Sequence, residues 1–179
     1  QLSENDSRPP SHIVADAMVL SLITSIAFTA LLLIFPQPMF PNGSNGDLSW
    51  LLPLTILPYA LTEVALAACA YRYDIGATVR SRALAEPWTI SIAVGALFFV
   101  VPDSGLELAY VLSIIAAAVA AFMPVIRHYG MPTGWSPHPV RMFRLAMRNL
   151  PLAGADAIEW GTRKLDLAIL AQFASPAQV

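Results

Sequence analysis

The sequence predicts an all-α polytopic membrane protein with about five transmembrane helices, and three observations carry that reading. Hydrophobic residues make up 56% of the 179 residues and charged ones 12%, about half the charged share of a soluble domain. Mean hydropathy is +0.61. The apolar residues gather into stretches long enough to cross roughly 30 Å of hydrocarbon, and basic residues occupy alternate loops between them.

The first span covers about 13–35 and holds thirteen Ile, Leu, Val or Phe residues, with only Asp16 near its entrance. Asp16 reads as a group close to interfacial water. The second covers about 50–71, where Pro53 and Pro58 are expected to bend the helix. Glu63 lies at mid-depth in it, and an acidic residue there is a candidate functional group, either lining a cavity or pairing helices. The third span covers about 83–101 and starts at Glu86-Pro87-Trp88, with Trp88 suited to the interface and Glu86 read as capping the helix start. The fourth covers about 106–126 and the fifth about 150–174.

The loops alternate in charge. Arg8 precedes the first span, while 36–49 (PQPMFPNGSNGDLS) carries no Lys or Arg. Arg72, Arg80 and Arg82 follow the second span, the turn 102–105 has no basic residue, and Arg127, Arg141, Arg144 and Arg148 follow the fourth. Basic loops stay on the cytoplasmic side, so the N-terminal end is expected inside, with each later crossing consistent. Asn42, Gly43, Asn45 and Gly46 suit a flexible turn, and 131–139 (MPTGWSPHP) cannot hold a helix because its three prolines remove donors and fix φ. In 140–150 (VRMFRLAMRNL), Arg141, Arg144 and Arg148 share one helical face. Such a segment is expected to lie along an anionic inner leaflet.

The fifth span is the most informative. It contains Asp156, Glu159, Arg163, Lys164 and Asp166, and five charges at mid-membrane depth cost about 12–17 kcal/mol on insertion scales. The apolar residues beside them return only about 2–4 kcal/mol. Such a helix is not stable facing lipid. On a helix Asp156, Glu159, Arg163 and Asp166 fall within an arc of about 80°, and Arg163 stands within reach of both Glu159 and Asp166. Pro151 and Gly161 are points at which this helix is expected to bend. One reading is a stripe that lines a water-filled cavity, with Arg163, Lys164 and Asp166 binding substrate and Glu63, Asp156 and Glu159 lining it or loading a coupling ion. A guanidinium grips phosphate oxygens in bidentate fashion, and a carboxylate loads and releases H+ or Na+. The other reading is that these charges only hold helices together.

Several classes are set aside. The net charge of −2 argues against nucleic acid as a partner. Cys69 is the single cysteine and lies in an apolar run, so it reads as a small buried side chain. His12, His128 and His138 fall in loops without ligand spacing, and neither a phosphate loop nor a nucleophile signature occurs. No metal, cofactor or enzymatic activity is therefore expected. The polar first twelve residues lack both an initial Met and a signal-peptide pattern, and Ser175-Pro176 looks like the start of another helix. The chain reads as an internal piece of a longer protein.

Residues 151–166 (PLAGADAIEWGTRKLD), closing with Ser175-Pro176, resemble the helix that opens the second half of bacterial polysaccharide flippases. These are the oligosaccharide and O-antigen exporters of the superfamily that includes multidrug and toxic compound extrusion proteins. Residues 80–88 (RSRALAEPW) are similar to that family's inner loop and following span. The resemblance implies a two-lobed, alternating-access bundle of 12–14 helices, in which this chain supplies the third through seventh. Residues 1–130 would then be the late part of the N-terminal lobe, 131–150 a cytoplasmic linker, and 151–179 the first helix of the C-terminal lobe. It further implies a multi-pass protein of the bacterial cytoplasmic (inner) membrane that moves polyprenyl-pyrophosphate-linked oligosaccharides for polysaccharide or lipopolysaccharide biosynthesis. Arg163 and Lys164 would meet the pyrophosphate, and the carboxylates would neutralise them or couple H+ or Na+ flow; membrane lipid is the other expected partner. The competing expectations are a cation-coupled multidrug antiporter of the same superfamily and a non-transporting scaffold subunit.

Overall fold

Pro9 and Pro10 open the first helix, α1 (Pro10–Ile34), at positions where a missing N–H removes no intrahelical bond. The computed structural model describes residues 9–36, 48–101 and 103–173, except the side chains of 160, 161 and 163–173. The expected turn at Asn42 and Gly43 and the Ser175-Pro176 element lie outside the described residues. All secondary structure among those described is helical. Two compact units result, 1–136 and 137–179.

In the first unit, α1 is followed by two 3-10 turns, Ser49–Leu51 and Pro53–Thr55, that lead into α2 (Ile56–Tyr71). Pro53 begins a turn and Pro58 stands in the first turn of α2, where the ring displaces no helical hydrogen bond. After Arg72 the chain reverses through Tyr73, at φ 60°, into α3 (Ile75–Thr78). Asp74 caps α3 by accepting the Ala77 N–H at 3.1 Å. A π-helical stretch, Val79–Ala85, then joins α3 to α4 (Glu86–Leu97), and α5 (Gly105–Tyr129) returns alongside. Gly130, at φ 66°, ends α5 in a conformation that only glycine adopts readily.

Three of these elements are long and apolar enough to cross a membrane: Pro10–Ile34, Ser49–Tyr71 and Gly105–Tyr129, with mean hydropathies of 2.4, 1.6 and 2.3. They coincide with the expected first, second and fourth spans. The other two expected spans take a different form. The third is expected at 83–101, but helical rotation begins at Ile75, so Arg80 and Arg82 lie inside the helix rather than in a loop. Its regular α-helical part, α4, has 12 residues, about 18 Å and too short by itself for a 30 Å core. The expected cap role of Glu86 also fails. Glu86 follows a helical Ala85 and accepts a hydrogen bond from Arg82.

Antiparallel and parallel neighbours follow from the contacts. Thr29 Oγ1 donates to the Pro53 carbonyl at 3.1 Å at one end of α1, while Val14 packs with Ala65, Ala68 and Cys69 at the other. Tyr129 donates to the Ala68 carbonyl at 2.8 Å, so α2 and α5 run parallel with their basic ends together. Ser81 Oγ donates to the Ala117 carbonyl at 2.9 Å, Gly105 lies against Leu97 and His128 bonds Asp74, so α5 lies antiparallel to the Ile75–Leu97 rod. The contact surface of α5 is a line of small residues at every fourth position: Ala109, Ser113, Ala117 and Ala121, all 0% exposed. That spacing keeps them on one ridge and lets backbones approach closely, which drives helix packing where lipid is the solvent.

Asp16 also departs from expectation. It is buried at 4% exposure and accepts a hydrogen bond from Trp135 Nε1 at 2.9 Å, because the proline-rich segment after α5 folds back over the start of α1. His12 Nε2 donates to the Thr133 carbonyl at 3.1 Å in the same place.

The second unit is one helix, α6 (Pro139–Phe173), 35 residues long and about 52 Å from end to end. The helix runs through Pro151 without interruption. The ring removes one backbone bond, and the turns on either side hold. The basic amphipathic segment and the charged stretch expected as separate elements are thus one rod.

Replacing Ala117 with Leu places a side chain where the α5 ridge meets Ser81. We expect Ala117→Leu to lower stability by about 1–3 kcal/mol, the usual cost of overpacking, read as a fall in melting temperature in detergent. Val119→Ile, on an exposed face of α5, should leave it unchanged.

Candidate functional site

Three consecutive residues of the π-helical stretch, Arg80, Ser81 and Arg82, fan out around the helix axis and meet three different neighbours. Ser81 is fully buried against α5. Arg82 turns to α2, where Tyr59 and Glu63 share one face at a four-residue spacing. Its Nη2 donates to Glu63 Oε1, its Nη1 donates to Glu86 Oε2 at 2.7 Å, and its guanidinium lies 4.3 Å from the Tyr59 ring centroid. One cation thus holds two carboxylates and an aromatic face.

The local sequence explains the widened helix. Pro87 has no N–H for the Ala83 carbonyl, and its ring needs room in the turn before it. The π-helical turns immediately precede it and take up that ring. They also set the faces on which Arg80 and Arg82 emerge. Pro87 was the signal available in the sequence.

The node is deep for a charged group. Glu63 precedes the end of α2 by eight residues, about 12 Å along the axis. With both carboxylates ionised the node is net −1. The Arg82 side chain is 21% exposed and that of Glu86 27%, whereas Glu63 is 54% exposed. Glu63 is therefore the open side of the node.

A second polar cluster sits at the basic end. Asp74 Oδ2 accepts from His128 Nε2 at 2.9 Å and from Arg80 Nη2 at 3.3 Å. The His128 hydrogen bond, with help from the Ala77 N–H and the Arg80 charge, holds the Asp74 carboxyl below the usual carboxylate range. The Arg72 guanidinium lies 5.2 Å from the Tyr129 ring centroid beside this cluster.

Of the residues singled out in the sequence, Glu63 is placed in the node. Asp156 and Glu159 lie on the exposed surface of α6. Because α6 is unbroken, they fall with Arg141, Arg144 and Arg148 within an arc of about 120°. Arg163, Lys164 and Asp166 lie outside the residues whose side chains the structure describes. Sequence reasoning missed the contact of Arg82 with Glu63 and Glu86, since loop-charge counting assigns Arg82 to the cytoplasmic surface.

Comparison with protein-family models, with curated proteins and with solved structures finds no match to this chain.

Two outcomes follow from the electrostatics. A double-mutant cycle on Arg82→Gln and Glu63→Gln should give a coupling of about 0.5–3 kcal/mol in thermal unfolding, with Arg82→Gln alone the more damaging change because it strands two carboxylates. The depressed carboxyl of Asp74 contributes stability above its unfolded-state value of about 4. That contribution is lost as pH falls through the folded value, so Asp74→Asn should flatten the acid limb of a melting-temperature profile.

Proposed function

We propose that this chain belongs to a secondary transporter, a flippase that moves lipid-linked oligosaccharides across the cytoplasmic membrane by alternating access. The observation that carries the transport reading is the Glu63–Arg82–Glu86 node, a net-negative group about 12 Å inside a span-length helix. A charge exposed to hydrocarbon at that depth is costly, so its open side calls for a polar path or another polar helix. The excess negative charge of the node draws a cation, H+ or Na+, toward its exposed carboxylate.

The cargo rests on the resemblance of 151–166 to the flippase helix. In this reading α6 presents its charged face to the substrate, with Arg163 and Lys164 on pyrophosphate oxygens and Asp166, Asp156 and Glu159 balancing them. The acidity of the node favours one second reading, a cation-coupled antiporter that exports cationic drugs through the same path.

The deciding experiment reconstitutes the full protein in vesicles. Flipping of a polyprenyl-pyrophosphate oligosaccharide should be abolished by Arg163→Ala and should lose its dependence on an imposed ion gradient in Glu63→Gln. Export of a cationic dye with no glycan flipping would establish the antiporter. Absence of both, with the protein correctly inserted, would leave the charges as helix glue.

A further inference from the structure

Apart from the Arg82 node, the basic end of the first unit contains an open cavity of about 760 Å³ lined by Asp74, Arg80, Ala120, Met123, Pro124, Arg127 and His128. Its lining falls into a charged part and an apolar part. Arg80, Arg127, His128 and Asp74 form the charged part, with two permanent cations against one carboxylate. Ala120, Met123 and Pro124 form an apolar wall on α5, and with Arg127 they follow the spacing i, i+3, i+4, i+7 of a single helical face.

Arg127 is exposed and has no hydrogen-bond or ion-pair partner among the described residues. Arg80 is held only loosely, 54% exposed and 3.3 Å from Asp74. The space beside it depends on Gly76, where a Cβ would come within 3.0 Å of Arg80 Nη1 and 3.2 Å of Asp74 Oδ1. Asp74 spends its charge on His128 and Arg80, which leaves Arg127 uncompensated.

We propose that this cavity binds the phosphate of an anionic membrane phospholipid, with the acyl chain laid along the Ala120–Met123–Pro124 face. Arg127 and Arg80 supply the donors for the phosphate oxygens, since guanidinium groups bind phosphate in bidentate fashion. The position matches the ligand: the cations stand at the end of a span-length helix, where headgroups lie, and the apolar wall runs from there toward the hydrocarbon. A soluble phosphate would satisfy the guanidinium groups and leave that wall unused. The volume is within the range of a pocket for a small ligand. The cavity shares no residue with the Glu63–Arg82–Glu86 node, and the proposal does not depend on the cargo reading.

The test is lipid retention rather than transport. The full protein is purified in nanodiscs of phosphatidylcholine doped with phosphatidylglycerol, and the lipid retained after delipidation is counted by native mass spectrometry. We expect preferential retention of phosphatidylglycerol, reduced about fivefold for each guanidinium removed in Arg127→Gln and Arg80→Gln. Arg72→Gln removes a charge from the same end but outside the cavity, and should retain lipid as the native protein does. An equal loss in Arg72→Gln would overturn the site in favour of diffuse surface charge. Unchanged retention in Arg127→Gln and Arg80→Gln would overturn it outright. Binding of inorganic phosphate with no phosphatidylglycerol preference would overturn the lipid as the source. Normal glycan flipping in Arg127→Gln is compatible with the site, so its failure and that of the transport reading are separable.

Discussion

Close approach of helix backbones along α5 is the constraint on which the first unit depends. Ala109, Ser113, Ala117 and Ala121 form a ridge with almost no side-chain height, and all are fully covered. In lipid no hydrophobic force drives helices together, so contact area gained by near approach has to do it. At one end of the ridge Gly105 lies against Leu97, where a Cβ would come within 3.3 Å of its backbone oxygen. Near the middle, the hydroxyl of Ser81 reaches the Ala117 carbonyl. That bond fixes the rotation of the π-helical stretch about its own axis.

Fixing that rotation decides the electrostatics. With Ser81 committed to α5, the residues before and after it must emerge to either side. Arg82 is directed onto α2 and becomes the shared cation of Glu63 and Glu86, while Arg80 is directed to Asp74 and the basic-end cavity. One site is net negative and deep, the other has two permanent cations against one carboxylate near the end of a span. A single extra residue in the π-helical turns would not matter in a loop. Within a packed helix it moves every later side chain to a new face.

The elements legible in the sequence were those whose signal is purely local. Long apolar runs gave α1, the α2 rod and α5 within a few residues, because length and hydropathy are enough to specify a crossing helix. Glu63 stood out for the same reason, as a charge in such a run. Arg82 did not, because its role depends on where helical rotation begins, and Arg80 and Arg82 near a turn look the same as loop charges. Asp16 was read as facing water, since nothing near it in sequence announces that Trp135 returns to cover it. The two parts of α6 looked separate because hydropathy changes at Pro151, whereas the backbone there loses one hydrogen bond and continues.

By itself the sequence determined an all-helical chain with span-length apolar segments and charges too costly to face lipid, because burial of backbone polar groups and of charges is priced residue by residue. Which charges meet was decided only by tertiary structure. The pairing of Arg82 with Glu63 joins residues nineteen positions apart, and the His128–Asp74 bond joins residues fifty-four apart. Both follow from how α2 and α5 pack against the Ile75–Leu97 rod, which no local pattern records.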